Sequence, residues 1–517
     1  MKKFSIITVA VAFLLCSVIL FISSCEKDLN EEINFDSYAF TELDADGGTW
    51  NPLVLTSGDQ ITVAAPPALT SAEYLQEVEN LKETMNQVSS EQKDAIKYWG
   101  TNSVLRWNQI ANDMAAKYNL PPAPNPDGTY SAPDAANPSA YPNFPFAMPP
   151  YTCRMLAYWS GAQFDALITV WNQKYAHNCP APYKTDASIS PLLPENDLPS
   201  YPSEDAAIAA VSEVILSAMF PLEKDFIKQK ADELKNTRLW AGTNVAMDIA
   251  AGDSIGRAVA ALYIDRSKTD GMKNANVSVA VADSIENAAL AMWGWHWENL
   301  DIPQRRVGIL PRFGNVQLWF VPNVEAVRPG PPPAPGSEQY NNDVEELKKF
   351  DDKLTNEQRD IALYWNDGSS TYTPPGHWNR IAYSYIENGK LNPLRTARVF
   401  AYLNMAEMDA GISCWDTKYY YHYPRPSGAE PSIKTLIGIP SFPSYTSGHS
   451  TFSGAAEEVL SYFFPEGKAA FEHQAQDAAD SRMYARIHFR FDCEAGLVQG
   501  KAVGAYAVAA AEQDGAD

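Results

Sequence analysis

Basic residues are in short supply. The chain has 517 residues and sets 40 Lys and Arg against 63 Asp and Glu, giving a formal charge of −23 and a pI near 4.7. Binding a phosphate backbone needs a basic surface, so this balance excludes nucleic acid as the partner. Cysteines number six, and none forms the CxxC spacing of a structural zinc site. Past residue 22 no uninterrupted apolar run reaches the roughly 18–20 residues of a membrane helix. Ala206 to Phe220 comes nearest, and Ser212, Glu213 and Ser217 interrupt it. Hydrophobic residues are 45% and charged residues 20% of the chain, which excludes wholesale disorder. At roughly 100–200 residues per domain, the length admits two to four domains or one large α domain.

Lys2 and Lys3 precede a nearly continuous apolar run, Ile6 to Ile22, and then Ser23-Ser24-Cys25. That is the layout of a secretory signal, and the small residues before Cys25 resemble a bacterial lipoprotein lipobox. The resemblance implies cleavage before Cys25, a lipid on its thiol, and an extracytoplasmic protein on the outer membrane or cell surface of a Gram-negative bacterium. Residues 1–24 are read as the signal peptide. Residues 25–69 are read as a tether with a few short strands, expected over 50–66. Cys153, Cys179, Cys414 and Cys493 remain for disulfides, which such a compartment permits. Cys414 with Cys493 is one pairing to test.

The chain repeats itself. Residues 152–174, TCRMLAYWSGAQFDALITVWNQK, align without a gap on 396–418, TARVFAYLNMAEMDAGISCWDTK. The same offset of 244 pairs Arg238 with Arg482, Asp248 with Asp492, Gly252 with Gly496 and Gly256 with Gly500. Upstream, LRWNQIA (105–111) is similar to GHWNRIA (376–382) at a slightly larger offset. Ala-rich amphipathic stretches alternate with Pro-rich connections, so the expected class is all-α, in two homologous helical bundles. The first module spans 70–265 and the second 340–512. Between them, 266–339 is a connecting segment that includes a Pro-rich linker.

Three stretches of the second module gather cations and histidines. They are Lys418-x6-Arg425-Pro426, Ser444-x2-Ser447-Gly448-His449, and Arg482-x5-His488-x3-Asp492. Three cations suit a tetrahedral oxyanion, with Arg supplying forked donors and Lys a point charge. Ser447 offers a hydroxyl and Gly448 an approachable N–H. The run after Gly448 reads as a helix start, which favours an anion. His488 and Asp492 are four apart and share a face if both are helical. In that case Arg482 falls at or before the start of the helix. A carboxylate on one imidazole nitrogen fixes the tautomer and leaves the other as nucleophile or ligand. Arg486, Arg490 and His422 are read as surface or supporting residues.

Together the three stretches resemble the signature of the type 2 phosphatidic acid phosphatase (PAP2) and vanadium-dependent haloperoxidase superfamily. Length, repetition and the TPPGHWN segment (373–379) resemble its large bacterial haloperoxidase-like branch. The resemblance implies a haloperoxidase-like fold. It implies His488 as the vanadium ligand or phosphoryl acceptor, with His449 as general acid–base and Asp492 completing the catalytic group. It further implies oxyanion contacts from Lys418, Arg425, Ser447, Gly448 and Arg482. Trp415 and Phe442 are similar to pocket-lining residues of haloperoxidases. Two activities follow. One is vanadate-dependent oxidation of halide by hydrogen peroxide. The other is phosphomonoester hydrolysis through a phosphohistidine, as in a secreted acid phosphatase, with no cofactor. A surface-binding lipoprotein without catalysis is a third reading. In the first module Ala181 stands for Arg425 and Asn244 for His488. Pro199–Ser203 is similar to Pro440–Ser444, which sets Tyr201 against Phe442, and Trp171 matches Trp415. This module is expected to be catalytically dead.

Overall fold

Ser89 and Thr355 each cap a helix through a capping box, with Gln92 and Gln358 as the reciprocal partners. Such boundary chemistry recurs along the chain. The computed structural model describes residues 35, 38–119, 148–300 and 307–516. The signal, Cys16 and the expected lipid site at Cys25 lie outside the described residues.

The first half contains α1 (Ala72–Asn86), α2 (Ser90–Trp99), α3 (Ser103–Tyr118), α4 (Pro149–His177), α5 (Glu204–Met219), α6 (Lys224–Trp240) and α7 (Ala246–Ser267). After α8 (Val279–Trp293) come α9 (Glu338–Lys353), α10 (Asn356–Tyr364), α11 (Thr373–Gly389), α12 (Pro393–Tyr421), α13 (Gly448–Phe463), α14 (Lys468–Tyr484) and α15 (Arg490–Ala511). Four helices recur 244 residues later at equal length. They are α4 and α12 with 29 residues, α5 and α13 with 16, α6 and α14 with 17, and α7 and α15 with 22.

The all-α class holds, but the expected strands over 50–66 do not form; no strand occurs among the described residues. The reason is a carboxylate. Asp165 on α4 accepts the N–H groups of Leu53, Val54 and Leu55 at 2.7, 2.8 and 3.1 Å. Amides bonded to one side chain are not free to pair in a ladder. Asp409 on α12 does the same with Trp319, Phe320 and Val321 at 2.8, 2.8 and 3.0 Å. Part of the connecting segment therefore seats on the second half as 53–55 seats on the first.

Both halves fall within one compact unit, residues 36–517. Long helices α4 and α12 are buried over most of their length and pack on each other. Asn404 donates to Ser160 at 3.3 Å, and Asn108 donates to Asn379 at 2.8 Å. On the far side of α12, α13 lies against α15. A Cβ on Gly496 would stand 2.8 Å from the Ser447 carbonyl, and one on Gly500 2.1 Å from that of Thr451. Only glycine permits that approach, and it brings the start of α15 to the start of α13. No helix among the described residues is long and apolar enough to cross a membrane. Cys153, Cys179, Cys414 and Cys493 are free and buried, so the Cys414–Cys493 disulfide is absent. Cys414 instead donates to the Thr446 carbonyl at 3.6 Å.

Candidate oxyanion site

Three elements deliver the three motifs to one place. The end of α12 carries Lys418, whose side chain is fully buried. Its ammonium donates to the carbonyls of Pro443 and Ser444, both at 2.9 Å, and to that of Thr446. This clamps the loop leading into α13. Arg425 follows the left-handed residue His422, which ends α12 and turns the chain back. Its Nε donates to the Phe442 carbonyl at 3.0 Å, and its Nη1 to the Ile487 carbonyl at 2.9 Å. Arg482 lies in the last turn of α14 and donates to the Trp365 carbonyl at 2.5 Å and the Ser481 hydroxyl at 2.9 Å. No carboxylate among the described residues pairs with these three cations.

The expected helical arrangement around His488 is not what forms. Arg482 sits near the end of α14 rather than at the start of a helix, and His488 lies in the turn before α15. The contact with Asp492 forms all the same. Asp492 stands in the first turn of α15, where its Oδ2 accepts the Phe489 N–H at 3.1 Å. The same oxygen is 3.0 Å from His488 Nδ1 and accepts the Ser444 hydroxyl at 2.5 Å. Arg425 Nη1 lies 2.9 Å from His488 Nε2. A guanidinium only donates, so Nε2 accepts and Nδ1 carries the proton toward Asp492. The imidazole therefore turns a lone pair toward the cations.

Ser447 caps α13, its hydroxyl oxygen accepting the Ser450 N–H at 3.4 Å, which leaves the hydroxyl proton for another acceptor. Gly448 and His449 open the helix, where N–H groups lack intrahelical partners. His449 Nε2 is buried with no hydrogen-bond partner and lies 3.9 Å from Asp367 Oδ2. His377 Nδ1 holds that carboxylate at 3.1 Å, and its ring stacks on Trp365 at 4.3 Å. One wall is aromatic. The Phe442 ring centre is 4.8 Å from that of Trp415 and 5.1 Å from both the Lys418 ammonium and the Arg425 guanidinium.

Burial sets the electrostatics. It pushes both Arg425 and Arg482 down to about 10, so each stays charged at neutral pH. It pushes the Lys418 amine down and the Asp492 carboxyl up. His488 falls well below the usual imidazole range, first through burial and then through Arg425 and Lys418. His449 falls likewise, through burial and then Arg482. Two positive forks thus flank two neutral imidazoles. An anion placed among them would relieve the repulsion and engage Arg425 Nη2, which is buried without a partner. The donor set fits a tetrahedral oxyanion.

Every residue expected from the three motifs converges here. Trp365 and Asp367 join the site without any expectation from the sequence, and Ser444 and His377, the latter from the TPPGHWN segment, join it beyond their places in those stretches. Ser444 had a signal, four residues before Gly448, and His377 lies in TPPGHWN, but Trp365 and Asp367 arrive from between α10 and α11 with no local marker. The residues expected to be bland hold structural bonds. Arg490 pairs with Glu346 at 2.5 Å, Arg486 donates to the Lys434 carbonyl, and His422 Nδ1 accepts the Trp297 N–H at 3.0 Å. One correspondence is corrected. Lys174 donates to the Pro199 carbonyl as Lys418 does to that of Pro443, so Ser203 stands for Ser447 and Leu198, not Tyr201, for Phe442. Phe442 has no aromatic counterpart in the first half.

Comparison with known proteins locates the same region. Residues 399–515 match the PAP2 superfamily model. A vanadium chloroperoxidase of Curvularia inaequalis is 33% identical over 135 residues, covering 20% of this chain and 22% of that protein. The chain thus spans about a fifth of the curated relative it matches. Among solved structures, a bacterial vanadium-dependent iodoperoxidase superposes with a TM-score of 0.55 at 24% identity, over 70% of this chain and 91% of that one. A holo-type bacterial vanadium-dependent chloroperoxidase gives 0.50 at 12% identity, over 75% and 94%. These structures share the fold.

Proposed function

Because the chain carries a PAP2 superfamily domain in a haloperoxidase-like fold, we propose that it is an enzyme that binds vanadate and oxidises halide with hydrogen peroxide. The observation that carries this choice is the Phe442–Trp415 wall against Lys418 and Arg425. An apolar face beside unpaired cations suits small reactants better than a bulky, solvated ester.

Lys418, Arg425, Arg482, the Ser447 hydroxyl and the Gly448 N–H would hold the vanadate oxygens, with His488 Nε2 as the protein ligand. When bound, vanadate supplies a Lewis-acidic centre that activates hydrogen peroxide toward halide without itself changing oxidation state. Asp492 keeps the His488 proton on Nδ1. Arg425 gives up His488 Nε2 as its acceptor and donates to the anion instead. Neutral His449 takes a proton at Nε2 from incoming peroxide, and Asp367 steadies the imidazolium that results. The first half, lacking the nucleophile and the acid–base, serves as a packing partner. The lipid anchor at Cys25 and extracytoplasmic placement belong to this proposal, and metabolic labelling with a radioactive fatty acid checks them against a Cys25→Ala variant.

Protein freed of vanadate should gain halide-oxidising activity as vanadate is added, saturating at one equivalent per chain. Binding without such activity would count against the reading. The second reading, a phosphatase acting through His488, uses the same oxyanion contacts, and turnover of a phosphate ester without vanadate would favour it over the first.

A further inference from the structure

The first half keeps a pocket at the place that corresponds, 244 residues earlier, to the oxyanion site. It encloses about 100 Å³ and is lined by Thr101, Ala181, Ser200, Glu204, Arg238 and Asn244 among others. Arg238 lines it, and Lys174 bonds to two of its lining residues, Pro199 and Glu204; both cations are held as in the second half. Lys174 donates to the Pro199 carbonyl at 2.5 Å, and Arg238 donates to the Trp99 carbonyl at 2.9 Å. Lys418 and Arg482 make the matching bonds to Pro443 and Trp365. Asn244 donates to Asp248 Oδ2 at 3.3 Å, in the place of His488 on Asp492.

The difference lies at the start of α5. Ser203-Glu204-Asp205 stands where α13 has Ser447-Gly448-His449. Glu204 Oε2 reaches the Lys174 ammonium at 2.8 Å. Asp205 Oδ2 accepts Arg238 Nε at 2.5 Å, and its Oδ1 accepts the Ser103 hydroxyl at 2.6 Å. Each surviving cation therefore ends on a carboxylate, whereas their counterparts Lys418 and Arg482 end on carbonyls and a hydroxyl. Both carboxylates also occupy the first turn of α5, where the helix favours negative charge. Thr101, 8% exposed, lines the pocket with a hydroxyl that has no partner.

We propose that the first half retains an oxyanion pocket closed by its own carboxylates, Glu204 and Asp205, and that it accepts a tetrahedral oxyanion once those charges are removed. The proposal rests on the reading of the second half as an oxyanion site. Its physical basis is desolvation. Lys174 is fully buried and Arg238 is 5% exposed. Stripping a buried cation of its partner leaves a charge that a free anion can satisfy. In the intact chain the built-in carboxylates satisfy it, and a free anion would have to displace groups tethered at high effective concentration. Ala181 supplies no replacement for Arg425, so the opened pocket should bind more weakly than the second-half site.

Equilibrium dialysis with vanadate, repeated with inorganic phosphate, tests this on the full chain. The unaltered protein should bind one equivalent, and the Glu204→Gln/Asp205→Asn variant two, the second at least about tenfold weaker. Adding Lys174→Met to that variant should remove the second equivalent alone. One equivalent in the folded double variant would overturn the proposal. If the double variant does not fold, Glu204→Gln alone carries the test. It frees Lys174 and leaves the Arg238–Asp205 pair intact, and absence of a second equivalent there overturns the proposal. No binding at all by the unaltered protein would instead remove the reading of the second-half site.

Discussion

Arg425 donates from Nη1 to His488 Nε2 across 2.9 Å, so a guanidinium occupies the lone pair that an incoming ligand needs. Arg425 is therefore both a guard and a donor, and an arriving oxyanion must win the imidazole by giving Arg425 a better partner. Asp492 makes the exchange workable by holding Nδ1 from behind at 3.0 Å. Asp492→Asn should weaken vanadate binding by about 10- to 100-fold, the usual cost of losing the carboxylate behind a ligating imidazole. Equal affinity in the Asp492→Asn variant and the parent, measured by dialysis, would show that Asp492 only caps α15.

The two halves should divide the labour. His488→Ala is expected to abolish turnover, and His449→Ala to lower it by about 10²–10⁴-fold. Lys174→Ala should leave turnover largely intact, because Lys174 is already paired with Glu204. Steady-state rates on the three purified variants check this, and equal losses at His488 and Lys174 would contradict it.

Lys418 links affinity to pH. Burial pushes its amine down from the ordinary lysine value, so it loses its proton within reach of neutral pH. The oxyanion prefers the charged form, so affinity should fall as pH rises through that lowered value. Lys418→Met should lose about 10- to 100-fold in affinity at acid pH and should lack the parent's extra decline above neutrality. Parallel pH profiles for parent and variant would rule out this role.

Glu407 sits inside α12 fully buried, with both carboxyl oxygens unpartnered, and burial raises it well above the ordinary value. Burial favours the protonated acid over the carboxylate in the fold. Its contribution is thus fully present below the unfolded value of about 4.3 and is lost as pH rises toward the raised folded value. The loss runs at about 1.4 kcal/mol per pH unit. Denaturant melts of the parent should show this slope above about pH 4.3, and Glu407→Gln should remove it. An unchanged slope in the variant would mean Glu407 is solvated.

Legibility follows the length scale of each feature. The motifs around Lys418, Ser447 and His488 are readable because each is a short stretch whose spacing carries its chemistry. The contact of His488 with Asp492 follows from the spacing for a partly mistaken reason. Four residues apart suggests a shared helical face, whereas Asp492 is a first-turn residue of α15 and His488 precedes the helix. Asp367 and Trp365 are not readable, since they meet His449 and Arg482 only through tertiary packing. The strands expected over 50–66 fail for a similar reason, because the Asp165 carboxylate that holds 53–55 lies far along the chain. Local pattern does not report such distant partners.

The most direct test of the central claim is one preparation assayed two ways. With vanadate, hydrogen peroxide and iodide or bromide, the account predicts halide oxidation that His488→Ala abolishes. With a chromogenic phosphate ester and no vanadate, it predicts little turnover. Ester hydrolysis dependent on His488, without halide oxidation, would contradict it.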